Sequence, residues 1–126
     1  MFSHIMLGAD DIDASKKFYD ACFAALGGNE GKLDPKGRVM YFHNGGILLL
    51  SKPIDGGKAC GANGGTIGFA VESEEQGNAW HAAGVANGGT AIEDPPGIRE
   101  SEIGNLYLAY LRDPAGNKVC VMKRMG

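Results

Sequence analysis

Cysteine is scarce in this chain, and so are surplus positive charge and long apolar runs. The three cysteines, Cys22, Cys60 and Cys120, are odd in number and widely spaced. They fit reduced thiols in a cytoplasm better than a disulfide framework. Twelve basic residues stand against 15 acidic ones, for a net charge of −3. No basic stripe is present to neutralise phosphates, which excludes a nucleic-acid partner. No apolar run has the length of a membrane span, and Met1 leads straight into a strand-like run with no basic leader, so neither membrane nor signal peptide is expected. The glycine pairs at 45–46, 56–57, 64–65 and 88–89 lack the Gly-x-x-x-x-Gly-Lys pattern of a phosphate cradle. Glycine itself is abundant, with 21 residues, and its pairs fall between apolar runs, where they act as turn makers. At 126 residues and 44% hydrophobic, the chain is expected to be one domain spanning 1–126, with a sizeable core.

The clearest local signal is the last hairpin, residues 105–122. Two runs rich in apolar and aromatic residues flank Asp113-Pro114-Ala115-Gly116-Asn117. Pro114 presets φ, Gly116 supplies positive φ, and Asp113 can accept from amides ahead of it. If Arg112 pairs with Lys118, Tyr110 faces Cys120 and Leu108 faces Met122 on one side. The other side, Tyr107, Ala109, Leu111, Val119 and Val121, is uniformly apolar and suited to packing on helices. The mixed side is where a site is expected.

Before the hairpin, residues 2–7 read as a short strand, and Phe18, Cys22 and Leu26 recur at helical spacing up to Gly27-Gly28. A weak strand near 29–33 and strands at 38–43 and 46–51 follow, the last two joined by Asn44-Gly45. After a Gly/Pro-rich linker at 52–64 the pattern restarts: a strand at 66–71, then a helix opened by a Ser73/Gln76 capping box and ending at Asn87-Gly88-Gly89. A short strand at 90–93 and a Pro/Gly loop at 94–103 complete the second half. An offset of 62 lays His4 on Thr66 and Phe18 on Trp80. The chain is thus expected to be α+β, two duplicated βαβββ modules at about 2–51 and 65–124. Their eight strands would form a curved, mainly antiparallel sheet around a cleft, with helices outside.

This duplicated order, the Phe18-Tyr19 pair in the first helix and the closing Asp-Pro-x-Gly-Asn turn resemble the vicinal oxygen chelate superfamily, which includes glyoxalase I, bleomycin-resistance proteins and extradiol dioxygenases. The stretch Pro95-Pro96-Gly97-Ile98-Arg99 is similar to the loop many members carry before their last hairpin. In metal-dependent members the ligands come from the first and last strand of each module. The resemblance places those positions at His4, about Leu49, Thr66 and Cys120. Only His4 matches the usual ligand type: leucine cannot coordinate, and a threonine hydroxyl is a poor donor. The metal site is therefore read as absent and no cofactor is expected, a divalent metal being the alternative.

The ligand-binding candidates are His4, Leu49, Thr66, Arg99, Tyr110 and Cys120. His4 is read structurally as a partly buried core histidine, and functionally as a partner for a substrate oxygen. Cys120 is read as a small buried hydrophobe rather than a nucleophile, since its thiolate would need a partner such as Lys118 or Arg112. Tyr110 either holds a ligand oxygen or packs in the core. Arg99 either clamps a carboxylate or phosphate, or pairs with Glu100, Glu102 or Asp94. Thr66, Gly68 and Ala70 leave room that Phe42, Met40 or Leu49 could fill. Trp80 is assigned to the core and His81 to a solvated or helix-face position. Three functions follow: a bleomycin-resistance-like protein binding a small organic molecule without metal; a metal-dependent glyoxalase-like lyase or isomerase, its metal completed by water or a dimer partner; or a protein-interaction domain. A symmetric homodimer is expected.

Overall fold

The computed structural model describes residues 1–126. The chain runs β1 (Ile5–Gly8), α1 (Ile12–Ala25), β2 (Lys32–Leu33), β3 (Val39–His43) and β4 (Gly46–Ser51) in its first half. The second half runs β5 (Ile67–Ala70), α2 (Glu74–Ala86), β6 (Thr90–Ala91), β7 (Gly97–Ser101), β8 (Gly104–Arg112) and β9 (Lys118–Arg124). Two sheets result: β1-β4-β3-β2, and β5-β9-β8 with both β6 and β7 on the far edge of β8. The β1–β4 and β5–β9 pairs are parallel and all others antiparallel.

The offset of 62 holds for the first strand and helix of each half, and it grows to 71 from Leu49 to Cys120, which oppose Met6 and Gly68 at equivalent register. The extra residues lie where a loop was expected at 94–103. There the chain forms β7 instead, giving nine strands rather than eight. The long β8 edge leaves amides and carbonyls to be paired, and Gly97–Ser101 pairs them although the segment itself carries little strand signature.

Helix α1 starts where Asp11 accepts from the Ala14 amide, and α2 where Ser73 accepts from the Gln76 amide. Phe18, Tyr19, Cys22 and Phe23 of α1 and Trp80 of α2 bury against Val39, Tyr41, Leu48 and Leu50 of one sheet and Tyr107, Ala109, Leu111, Val119 and Val121 of the other. This is one core, covering the helix-side face of both sheets. Each fully buried aromatic or branched side chain contributes about 1.5–3 kcal/mol. Helix α2 approaches β8 closely because Gly77 and Gly84 are bare: a methyl group at either would drive into the Tyr107 ring or the Leu111 side chain.

The closing turn ties the halves together. Asp113 accepts from the Ala115 and Asn117 amides at 3.0 and 2.8 Å, and from Asn117 Nδ2 at 2.9 Å. The Tyr19 hydroxyl of α1 donates at 2.6 Å to Oδ2, the same oxygen that accepts from Asn117 Nδ2, while Asn117 Nδ2 also donates to the Gly8 carbonyl at the end of β1. With β1 and β5 residues lining the same clefts, these bonds bring the adjoining edges of the two sheets together.

Candidate functional site

The hairpin register decides which side chains share a face. Arg112 opposes Lys118, Tyr110 opposes Cys120 and Leu108 opposes Met122, as the turn chemistry predicts. The pairing Arg99–Leu106 puts Arg99 on the same face, and Gly68–Cys120 puts Gly68 and its neighbour Thr66 there too. On the first sheet, the face turned from the helices carries Met6, Leu49 and Met40 in one row and Ile47 and Phe42 in the next, with His4 just ahead of β1. These outer faces are much less covered than the core: Met6 is 46% exposed and Phe42 53%.

The individual environments refine the candidates. Cys120 is buried, fitting into the space over Gly68, where a methyl group would come within 3.2 Å of its Sγ. Burial pushes the Cys120 thiol up to about 11 against the pull of Lys118, so it is a protonated thiol at neutral pH. Tyr110 is half-buried, with Lys118 Nζ 4.9 Å from its ring centroid, and burial raises its phenol above the ordinary range. Lys118 itself pairs with Glu93.

Arg99 makes no ion pair with Glu100, Glu102 or Asp94. Its guanidinium donates instead to the carbonyls of Pro95 (2.9 Å), Gly97 (3.1 Å) and Asp94 (2.9 Å), and so organises the loop before β7. His4 is exposed and bonded only to the Ser3 hydroxyl at 2.8 Å, not a partly buried core histidine, because β1 begins one residue after it. Thr66 is exposed and lines a cleft of about 60 Å³ with Lys118 and Asn117. Leu49 is half-buried in the apolar first-sheet face. Trp80 is core, as expected. His81 is half-buried on α2, and burial pulls its pKa down against a hydrogen bond to the Tyr110 backbone.

Sequence reasoning named Arg112 only as a charge partner for Cys120 and missed Arg124, although the register it used places both on the same face as Tyr110 and Cys120. By strand register, no Asp or Glu occupies an outward position in either sheet, whereas Lys32, Arg99, Arg112, Lys118 and Arg124 do. For metal binding, no three His, Cys, Asp or Glu side chains gather into a ligand set. Leu49 has no donor atom and Thr66 is a neutral hydroxyl, which leaves His4 and Cys120 short of the three or four ligands a divalent ion takes, so these residues do not fit one. No helix is long and apolar enough to cross a membrane.

Comparison with known proteins gives a consistent family. The model of the Glyoxalase/Bleomycin resistance protein/Dioxygenase superfamily matches residues 1–121. A glyoxalase/bleomycin resistance protein from Albidiferax ferrireducens T118 is 51% identical with a TM-score of 0.94, over 98% of this chain and 99% of that one. A lactoylglutathione lyase from Agrobacterium tumefaciens is 26% identical with a TM-score of 0.67, covering 97% and 92% of the two chains. A glyoxalase-related enzyme from Fulvimarina pelagi shares the fold at 22% identity, with a TM-score of 0.72 over 97% and 86%. Among curated protein sequences nothing matches.

Proposed function

Because the chain belongs to the Glyoxalase/Bleomycin resistance protein/Dioxygenase superfamily, we propose that it binds a small organic molecule bearing an anionic or carbonyl oxygen, on the outer face of its second sheet and without a metal ion. The observation that carries this reading is the one-sided charge of that face in a chain whose net charge is −3: Arg99, Arg112, Lys118 and Arg124 surround Tyr110, Cys120 and Leu108, and Glu93, off the strands, pairs with Lys118. Thr66 and Tyr110 add neutral hydroxyls for a ligand oxygen, and His4 stands at the first-sheet margin. A symmetric homodimer is part of the proposal, since it would cover apolar side chains such as Phe42 and Met6; light scattering giving a monomer mass at micromolar concentration would count against it.

Titration with small carboxylates, followed by calorimetry on the wild type and on Arg99→Ala and Arg124→Ala, tests the reading. Losing one charge-assisted hydrogen bond is worth about 1.5–3 kcal/mol, tenfold or more in affinity. Equal affinity in all three proteins sinks it. The likeness to a lactoylglutathione lyase at 26% identity favours a second reading, a metal-dependent lyase or isomerase. Stoichiometric divalent metal in the purified protein, with turnover that depends on it, would establish that reading in place of the first.

A further inference from the structure

A second concavity lies where β1, β3 and β4 of the first sheet adjoin β5 of the second, lined by Gly68 but by none of the charged or hydroxyl-bearing side chains of the second sheet's outer face. We infer that it is a binding site for one small planar aromatic molecule carrying a single hydrogen-bonding group, of the phenol class, with His43 as its polar partner. The pocket is about 140 Å³, and none of His4, Leu49, Thr66, Arg99, Tyr110 or Cys120 lines it. An apolar cavity of about 150 Å³ lined by Leu, Ile and Phe takes benzene, so the volume suits one ring and no more.

The walls favour an aromatic occupant. Phe23 and Tyr41 stack at 4.7 Å between centroids, Phe69 meets Phe23 edge-on at 5.5 Å, and Ile5 and Ile67 close the sides. A ring inserted here extends an existing cluster of stacked and edge-on contacts, each worth about 0.5–1.5 kcal/mol beyond the area it buries. Ile5, Ile67 and Phe69 are only partly buried, so an occupant would remove apolar surface from water.

His43 supplies the polarity. Its ring sits 5.8 Å from that of Phe23 and makes no hydrogen bond within the chain. Gly28 leaves room beside its Nδ1, where an added Cβ would come within 3.0 Å, so no side chain is packed against the ring there. A half-buried, unpaired imidazole beside an aromatic wall suits a hydroxyl rather than a plain hydrocarbon. Gly46 also lines the pocket. Its φ is not in the left-handed region, and a Cβ there would meet only the His43 carbonyl at 3.5 Å. The backbone therefore does not demand glycine at 46, and a larger side chain can be placed there to fill the pocket.

The test is titration of the ¹⁵N-labelled full chain with phenol, and separately with toluene, followed by amide chemical shifts. Phenol should shift His43, Gly46, Ile67 and Phe69 saturably, and toluene should bind the same residues severalfold more weakly. Gly46→Val, or Ile67→Phe should the first not fold, should weaken phenol at least tenfold, and His43→Leu should erase its advantage over toluene. The inference is overturned if phenol gives no saturable shift, if the shifts centre on Tyr110 and Cys120 instead, or if the filling variants bind as wild type does. An unchanged preference for phenol in His43→Leu would remove the role given to His43. Loss of carboxylate binding on the outer face would leave all these outcomes unmoved.

Discussion

Asp113→Ala is the substitution with the largest consequence that can be worked from named contacts. Asp113 is only 4% exposed and accepts from the Tyr19 hydroxyl, the Ala115 and Asn117 amides and Asn117 Nδ2. Tyr19 is itself buried, and its hydroxyl has no other partner, so truncation strands a donor at about 1–3 kcal/mol. The two turn amides and the Asn117 amide lose their acceptor in the same step, and Asn117 is the side chain that holds Gly8 of the first half. Breaking a buried charged network of this kind costs about 3–5 kcal/mol. With a urea m-value of about 2 kcal/mol per molar, the unfolding midpoint should fall by about 1.5–2.5 M. Burial and Asp113 both hold the Tyr19 phenol well above its ordinary range, so it remains a donor throughout the neutral region. A double-mutant cycle with Tyr19→Phe should return a coupling of about 0.5–3 kcal/mol. A midpoint that moves by less than about 0.5 M, or a cycle that is additive, would refute the claim that this turn joins the two modules.

Three further outcomes follow from the same structure. Gly77→Ala should lower Tm despite a gain of about 1 kcal/mol in helix propensity, because the methyl enters the Tyr107 ring and overpacking costs about 1–3 kcal/mol; a raised Tm would mean that α2 can move off β8. One thiol, Cys60, should react rapidly with a thiol reagent at pH 8, while Cys22 and Cys120, buried and pushed up to about 12 and about 11, react only in denaturant; two fast thiols in the native protein would contradict this. Burial works against the charge on Asp20, but the Gly31 amide, Lys16 and Tyr41 outweigh it and hold the carboxyl below its ordinary value. Its contribution is therefore constant above the unfolded pKa of about 3.9 and is lost as pH falls through the lower folded value, so Asp20→Asn should flatten the acid limb of a stability–pH curve.

The strand parity of the last hairpin was legible because two independent signals agree there. The Asp-Pro-x-Gly-Asn turn fixes the register, and only one register puts Tyr107, Ala109, Leu111, Val119 and Val121 on a common apolar side. The duplication was legible for a similar reason, since strand and helix recur at one offset in both halves. What stayed hidden depends on partners distant in sequence. β7 exists because β8 is long enough to leave an edge, which nothing in Gly-Ile-Arg-Glu-Ser discloses. Gly77 and Gly84 look like flaws in an amphipathic helix until the Tyr107 ring and Leu111 are seen filling the places their side chains would take. Arg99 has several carboxylates within a few residues, yet it bonds to carbonyls, because the turn at Pro95–Gly97 points three of them at one guanidinium.

The two modules have kept their geometry and parted in chemistry, and this bears on what the outer faces can hold. Leu49 beside Met6 and Cys120 beside Gly68 occupy equivalent register, so the faces differ in their side chains at matched positions and in β7, which only the second sheet has. On the first sheet the strand positions around Leu49 are Met6, Met40, Ile47 and Phe42, which offer no hydrogen bond. On the second, Cys120 lies among Tyr110, Lys118 and Gly68, with Arg99 and Arg124 flanking Leu106 two rows away. A molecule confined to the second sheet would be recognised mainly through charge, and its affinity should then fall steeply with salt. One that also reaches the first sheet needs an apolar body, and its affinity should survive salt while still failing in Arg124→Ala. Calorimetric titration of short and long alkyl carboxylates at low and high ionic strength separates the two cases. If chain length and salt both leave affinity unchanged, neither face is the binding surface.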